Sequence, residues 1–334
     1  MAEISVKTTG AGKDSVKSSS SQAKQKILAF SSLVILIIGF SIASPNFFQP
    51  SNIIAIMLAT AVNGVLAVGV SFVIITGGID LSIGTMMTLT AVMSAQAIVN
   101  WHLPIFVGVL VAVLTGIICG GVSGVMVAKL KLPPFIATLG MNMFTKGLSL
   151  IIAHSKPIYL TDAPAFNQIS MGSFLNFSEE FQVPNAVMIL FIVAIIGAVI
   201  LNKTTFGRYT FAIGSNEEAA RLSGINTDSW KIAAYAFCGA IVGIAGILIS
   251  SRLNSAQPAL GQGYELDAIA AVVIGGTSMS GGEGTIIGTI IGAFIISTLT
   301  NGLRILSVPQ EWQIVTTGII IIFAVYLDIL RRKK

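Results

Sequence analysis

Charge is what this chain has least of. Of 334 residues, 14 are Asp or Glu and 19 are Lys or Arg, so 10% are charged, against about 25% in soluble domains. Histidine occurs twice, as His102 and His154, each alone, so no imidazoles stand paired at metal-ligand spacing. The two cysteines, Cys119 and Cys238, both lie inside apolar runs, where an inert core thiol is the ordinary reading and a disulfide or metal pair is not. No nucleophile and base stand within reach in the sequence, so no catalytic residue, metal or cofactor is expected. The stretch "GAGKDS" falls short of a phosphate loop. That motif needs Gly at position 7 and Ser or Thr at position 14, where this chain has Lys7 and Asp14. Long polar intervals are missing too: the longest, 156–183 and 202–230, are each under about 30 residues, too short for a second soluble domain.

In their place stand apolar residues. Hydrophobic types make up 54% of the chain, with 34 Gly and a mean hydropathy of +0.88. The chain reads as an all-α polytopic membrane protein, since runs of about 17 to 25 apolar residues cross a hydrocarbon core of about 30 Å as helices. About ten such runs occur: 27–44, 52–76, 82–100, 104–127, 135–154, 184–201, 231–250, 266–280, 284–303 and 312–330. The eighth, with 15 residues, is short enough to be a broken or re-entrant piece.

Basic residues give the orientation, because Lys and Arg stay preferentially on the cytoplasmic side. With both termini cytoplasmic, 15 of the 19 basic residues fall inside: Lys7, Lys13, Lys17, Lys24, Lys26, Lys129, Lys131, Lys203, Arg208, Arg221, Lys231 and the closing Arg331, Arg332, Lys333, Lys334. The outer loop 156–183 is acidic, with Asp162, Glu179 and Glu180. The pI of 9.2 therefore reflects topology and attraction to anionic lipid, and no nucleic-acid partner is expected. Three parts follow: a Ser- and Lys-rich tail over 1–26 that reads as disordered, a single transmembrane domain over 27–330, and a basic cytoplasmic C-terminus at 331–334. Ser41 and Ala43 would suit a signal-peptide cleavage site; the long polar tail favours an intact anchor.

Four features stand out of the apolar background. "GSNEEAARLSGI" reads as a short cytoplasmic helix of about seven residues, roughly 10 Å long. Ser215 and Glu218 would form its capping box, Glu217, Glu218 and Arg221 suit its dipole, and Gly224 supplies a left-handed stop. Ala219 and Ala220 would let another surface approach closely, so the segment reads equally as a surface helix or a docking element. In "GGIDLSIG", Asp80 and Ser82 precede the third run, where they either cap its amides or line the inner end of a pathway. Glu265 and Asp267 open the eighth run from outside and point to different faces, as structural anions at a helix start or as a gate or partner contact. Arg252 and Gln257 share an outer loop within reach of a soluble partner. Lys146 is the one charge well inside a run and reads as snorkelling or locally paired. The glycine-rich stretches repeat a spacing, Gly77-Gly78 to Gly84-Thr85 and Gly281-Gly282 to Gly288-Thr289, as interrupted helices in two halves of a transporter would.

Taken in order, "GGIDLSIG", "PPFIATLG", "FGRYTFAIGSNEEAARLSGI", "NSAQPALGQGYELDAIAAVVIGGTSMSGGEGT" and "IIIIFAVYLDIL" resemble the ribose-type permeases of bacterial ATP-binding-cassette sugar importers, from about residue 27 to 334. The resemblance implies the type II importer fold in the bacterial inner membrane, with a non-catalytic subunit that translocates ribose or a similar pentose or hexose by alternating access. It implies three protein partners: a cytoplasmic ATPase, an extracytoplasmic sugar-binding protein, and a second permease copy, identical or paralogous. By position, Gly214, Asn216, Glu217, Glu218, Ala219, Ala220, Arg221 and Gly224 would form the coupling helix seated on the ATPase. The passage itself is expected to be sparsely polar, since a permeation site must release what it admits. The rival reading is an ion-coupled secondary sugar transporter.

Overall fold

Proline punctuates this chain. Pro50, Pro134 and Pro164 occupy first helical positions, and Pro104, Pro133 and Pro184 stand at the caps before others, the places where a missing N–H goes unnoticed. Between them the apolar runs are free to form long helices. A computed structural model describes residues 11–176 and 182–332; Lys7, Glu179, Glu180, Lys333 and Lys334 lie outside the described residues. In chain order the helices are α1 (Ala11–Ala43), α2 (Pro50–Ile75), α3 (Ile83–Ala95, continued by a π-helical turn Gln96–Asn100), α4 (Ile105–Ala128), α5 (Pro134–Ile152), α6 (Pro164–Met171), α7 (Asn185–Lys203), α8 (Thr205–Ser215), α9 (Glu217–Leu222), α10 (Thr227–Leu253), α11 (Tyr264–Ile274), α12 (Ile286–Ile305) and α13 (Gln310–Arg332).

The fold is all-α and polytopic. Among the described residues, 7 helices are long and apolar enough to cross a membrane: α2, α3 with its π turn, α4, α5, α7, α10 and α12. The first expected span is the apolar part of α1, Ile27–Ala43, and the tenth is α13. Helix α1 starts earlier than its apolar part, at Ala11, inside the segment whose composition reads as disordered; extending an established helix needs only one residue fixed per hydrogen bond gained. The eighth expected span, 266–280, is interrupted. Helix α11 has 11 residues, about 16 Å at 1.5 Å each, roughly half the hydrocarbon thickness. Gly276, Gly281 and Gly282, at φ 90°, 84° and 76°, turn the chain between α11 and α12.

Helix α10 is the axis of the bundle, packed against α4, α2 and α3. It meets α4 backbone to backbone: a Cβ on Gly116 would stand 2.0 Å from the Gly239 carbonyl oxygen, and one on Gly120 2.3 Å from that of Tyr235. Small residues allow this approach, which is how helices associate where lipid supplies no hydrophobic drive. Helix α2 is buried from Thr60 to Ile75, as expected of a helix that is apolar all round.

Two ends of the bundle differ in chemistry. The loops 76–82, 129–133, 204–226 and 275–285 gather at one, hereafter the basic end, where Lys131 bonds Asp228 at 2.7 Å and Gly282 N–H donates to the Ile75 carbonyl at 2.9 Å. At the far end a two-residue antiparallel ladder joins β1 (Ile158–Tyr159) to β4 (Ser255–Ala256), with Ile158 opposite Ala256. A second ladder pairs β2 (Leu175–Asn176) with β3 (Gln182–Val183). Helix α6 is fastened there to α10, the Ser251 hydroxyl donating to the Phe166 carbonyl at 2.7 Å.

Candidate functional site

At the basic end the segment 204–226 folds as two helices rather than one. Thr204 caps α8, its hydroxyl accepting from Gly207 N–H at 3.4 Å. Aromatic rings then fix α8 to its neighbours: Phe206 lies 5.6 Å from Phe72 on α2 and 5.7 Å from Phe237 on α10, and Tyr209 lies 5.1 Å from Trp230. Such pairs add about 0.5 to 1.5 kcal/mol each beyond area burial. The helix ends at Ser215, and Asn216, at φ −162°, turns the chain into α9 with its side-chain oxygen accepting from Ala219 N–H at 2.9 Å. The cap is therefore Asn216 and not Ser215. A capping residue must be extended, and Ser215 is still helical, so the expected Ser215–Glu218 box does not form. Gly224 does stop the helix in the left-handed region, at φ 86°, with Ile225 N–H reaching back to the Ala220 carbonyl at 3.1 Å.

The side chains of α9 divide into two sets. Glu217 turns toward the protein, bonding Lys231 of α10 at 2.5 Å and Arg221 at 3.5 Å, and Ala220 is buried. Glu218 and Ala219 are exposed, and Leu222 is 84% exposed. Of the two alanines only Ala219 is open to an approaching surface. Leu222 escaped the sequence reading because one leucine in an apolar chain carries no signal; its position at the tip of a polar helix gives it meaning.

Gly214, at the C-terminal end of α8, is where this segment meets the membrane helices. A Cβ there would stand 1.8 Å from the Ile75 carbonyl oxygen and 2.5 Å from Gly282 N. Gly281 in turn approaches Gly77, whose nitrogen would lie 2.7 Å from an added Cβ. The two glycine pairs with matching spacing thus touch, and α8 rests on the second of them and on the end of α2.

Asp80 and Ser82 lie in the loop between α2 and α3 and are both fully buried. The Asp80 Oδ1 accepts from Ser82 N–H at 2.9 Å and from the Ser82 hydroxyl at 2.6 Å, which closes a turn; Ser82 makes no side-chain cap bond to α3. The loop is held from outside by Asn142, donating to the Leu81 carbonyl at 2.6 Å, and by Tyr235, donating to that of Ile79 at 3.2 Å. Glu265 is also buried, accepting from Gly263 N–H at 3.1 Å and abutting Gly84 at the start of α3. These three residues fasten the roots of α3 and α11.

Asp267, on the other face of α11, enters a cavity of about 950 Å³ between α2, α11, α12 and α13, toward the far end. Arg252 lines it as well, while Gln257 stands exposed in the loop outside it. Asn63, Ser297, Thr300, Asn301 and Arg304 are among its polar lining residues. Lys146 is locally paired, donating to Gln262 at the rim at 2.9 Å. Asn63 and Asn301 were legible in principle, as amides inside apolar runs where polar groups are expensive.

The family described as "Branched-chain amino acid transport system / permease component" matches residues 52–325. The chain belongs to this permease family. Among its relatives, the permease is similar to the ribose import permease protein RbsC of Bacillus subtilis (strain 168), 44% identical over 311 residues, 93% of this chain and 94% of the relative. It is 42% identical over 299 residues to RbsC of Escherichia coli (strain K12), covering 89% and 91% of the two chains. A more distant relative is the xylose transport system permease protein XylH of Haemophilus influenzae, 33% identical over 357 residues, with 90% and 95% covered. The likeness identifies a ribose-type permease of the ATP-binding-cassette importers, multi-pass in the inner membrane.

Proposed function

We propose that this permease carries a monosaccharide, ribose or a pentose or hexose of similar shape, into the cytoplasm as the membrane subunit of an ATP-driven importer. The observation that carries the reading is likeness to ribose import permeases along about nine-tenths of the chain. In this reading the basic end and both termini are cytoplasmic, 27–330 is one transmembrane domain, and a second permease copy completes the passage. Helix α9, with Asn216 before it and Gly224 after it, seats on a separate ATPase that performs the hydrolysis, with Glu218, Ala219 and Leu222 as its contact face. Arg252 and Gln257 face an extracytoplasmic sugar-binding protein.

Alternating access then runs along the contacts already described. A nucleotide-driven shift of α9 moves α8, and Gly214 presses directly on Ile75 and Gly282, the end of α2 and the loop that leads back to α11. Helix α11 bears Asp267 into the cavity, and Asp80, Ser82 and Glu265 hold the roots about which α3 and α11 move. The nucleotide drives this change only through its different affinity for the two states.

Uptake of labelled D-ribose by cells expressing the permease with its ATPase and binding protein tests the reading. Uptake that needs the ATPase and survives a protonophore is expected; uptake that a protonophore abolishes and an ATPase deletion spares would establish the ion-coupled alternative instead.

A further inference from the structure

Three buried polar side chains on one wall of the far-end cavity keep an empty acceptor: Asn63 Oδ1, Ser297 Oγ and Asn301 Oδ1, with exposures of 8%, 3% and 9%. Several hydroxyls in the spans satisfy themselves on their own helix, as Thr60 does on the Ile56 carbonyl at 2.8 Å and Ser71 on that of Ala67 at 2.7 Å. Ser297 has the same option in α12 and does not take it. The remaining orphaned oxygens, on Asp80, Ser94, Ser123, Asn185, Asn254 and Thr277, do not line this cavity. The charged groups of the cavity are equally unengaged. Arg252, Arg304 and Asp267 enter no ion pair among the described residues, whose three salt bridges all lie at the basic end.

Buried polar groups are normally bonded, and an orphan in a cavity wall marks a place where a partner comes and goes. We infer that Asn63, Ser297 and Asn301 form a weak, selective site of the permease itself for a neutral polyhydroxyl ligand, whose hydroxyl groups donate to the three orphaned oxygens. The inference rests on the proposed sugar transport and names the residues that read the sugar inside the membrane. The two orphaned amide oxygens can only accept, so a ligand that donates, such as a neutral polyol, suits them better than a phosphate does. Hydroxyl groups both donate and accept, so a sugar satisfies the wall and can be passed on. Weak binding is required, because a site on a passage must also release.

The test uses the intact importer in vesicles with D-ribose, comparing wild type with Asn63→Leu, Ser297→Ala and Asn301→Leu. Replacing an orphaned polar group by an apolar one of similar shape is neutral or stabilising for the fold, so melting temperatures should hold or rise. Uptake should fall about tenfold in the Asn variants, the size of one lost hydrogen bond, while stimulated ATP hydrolysis stays within about twofold of wild type. Unchanged uptake in all three, or uptake lost together with hydrolysis and melting temperature, overturns the site.

A second measurement stands without transport. In the permease alone, with the native thiols removed as Cys119→Ala and Cys238→Ala, Ser297→Cys is labelled with a small methanethiosulfonate through the cavity it lines. D-ribose, D-xylose or D-fructose should slow labelling. Protection by inorganic phosphate instead, or by none of them, rejects the neutral-polyol site. Protection without ATP-dependent uptake would sink the importer reading and leave the site standing.

Discussion

At the basic end polar groups are closed on one another, Glu217 to Lys231 and Arg221, Lys131 to Asp228, and α8 bears on α2 through bare backbone. At the far end Asn63, Ser297, Asn301, Arg252, Arg304 and Asp267 share one cavity; among the described residues the first three keep an oxygen without a partner and the three charges enter no ion pair. The first arrangement suits transmission: close-packed interiors have low compressibility and transmit strain, so a shift of α8 is felt at α2. The second keeps its hydrogen-bonding capacity for a guest. Arg and Asp occur in both, paired at the basic end and without an ion-pair partner among the described residues at the far end.

The largest effect is expected where that contrast depends on one missing atom. Gly214→Ala places a methyl group against the Ile75 carbonyl and Gly282 N, both backbone, which cannot swing aside as a side chain would. Overpacking of this kind costs about 1 to 3 kcal/mol or more. We expect a lower melting temperature and loss of most uptake. Normal uptake with Gly214→Ala would mean that α8 does not press on α2, and the mechanical half of the comparison would break.

The next effect separates docking from stability at the same end. Leu222 touches little of its own chain, so Leu222→Glu should leave the melting temperature unchanged, within about 0.5 kcal/mol for a surface site. Its loss from an interface should weaken association with the ATPase about tenfold, as for a contact worth more than 1 kcal/mol. Co-purification of the ATPase with the permease reads this directly. Equal recovery with the variant would remove Leu222 from the contact face.

How much of this was legible in the residues depends on the kind of signal. The spans were, because an apolar run of the right length has few alternatives in lipid, and the short eighth run duly became a half-helix. The stop at Gly224 was legible because only a left-handed residue closes that turn. Ser215 was misread since cap preference alone does not distinguish two adjacent cap-formers, Ser215 and Asn216; that choice belonged to where α8 ended. The cavity was the least visible part. Asn63 and Asn301 are 238 positions apart in the chain, and what makes them one wall is tertiary packing of α2 on α12.

A gentler change sharpens the idea that the basic end is a closed network. The Glu217–Lys231 pair has side chains 36% and 17% exposed, so solvent screens it in part. A double-mutant cycle with Glu217→Gln and Lys231→Met should give a coupling of about 1 kcal/mol or less, smaller at high salt. Zero coupling would mean that the pair does not hold α9 on α10, leaving the aromatic contacts of α8 as the link.

The smallest effect tests the turn between the two short helices. Asn216 accepts from Ala219 N–H and is itself exposed, so Asn216→Ala should cost about 1 kcal/mol, the usual worth of such a cap. Ser215→Ala, one position earlier and inside α8, should stay within about 0.5 kcal/mol. Amide hydrogen exchange distinguishes them more finely than melting does, because α9 can fray without global unfolding. Asn216→Ala should speed exchange at Ala219 and leave the amides of α8 protected. Faster exchange in α8 as well would show that the two helices open as one unit, and the motion passed to Gly214 would then be a loosening of the whole 204–226 segment in place of a rigid push.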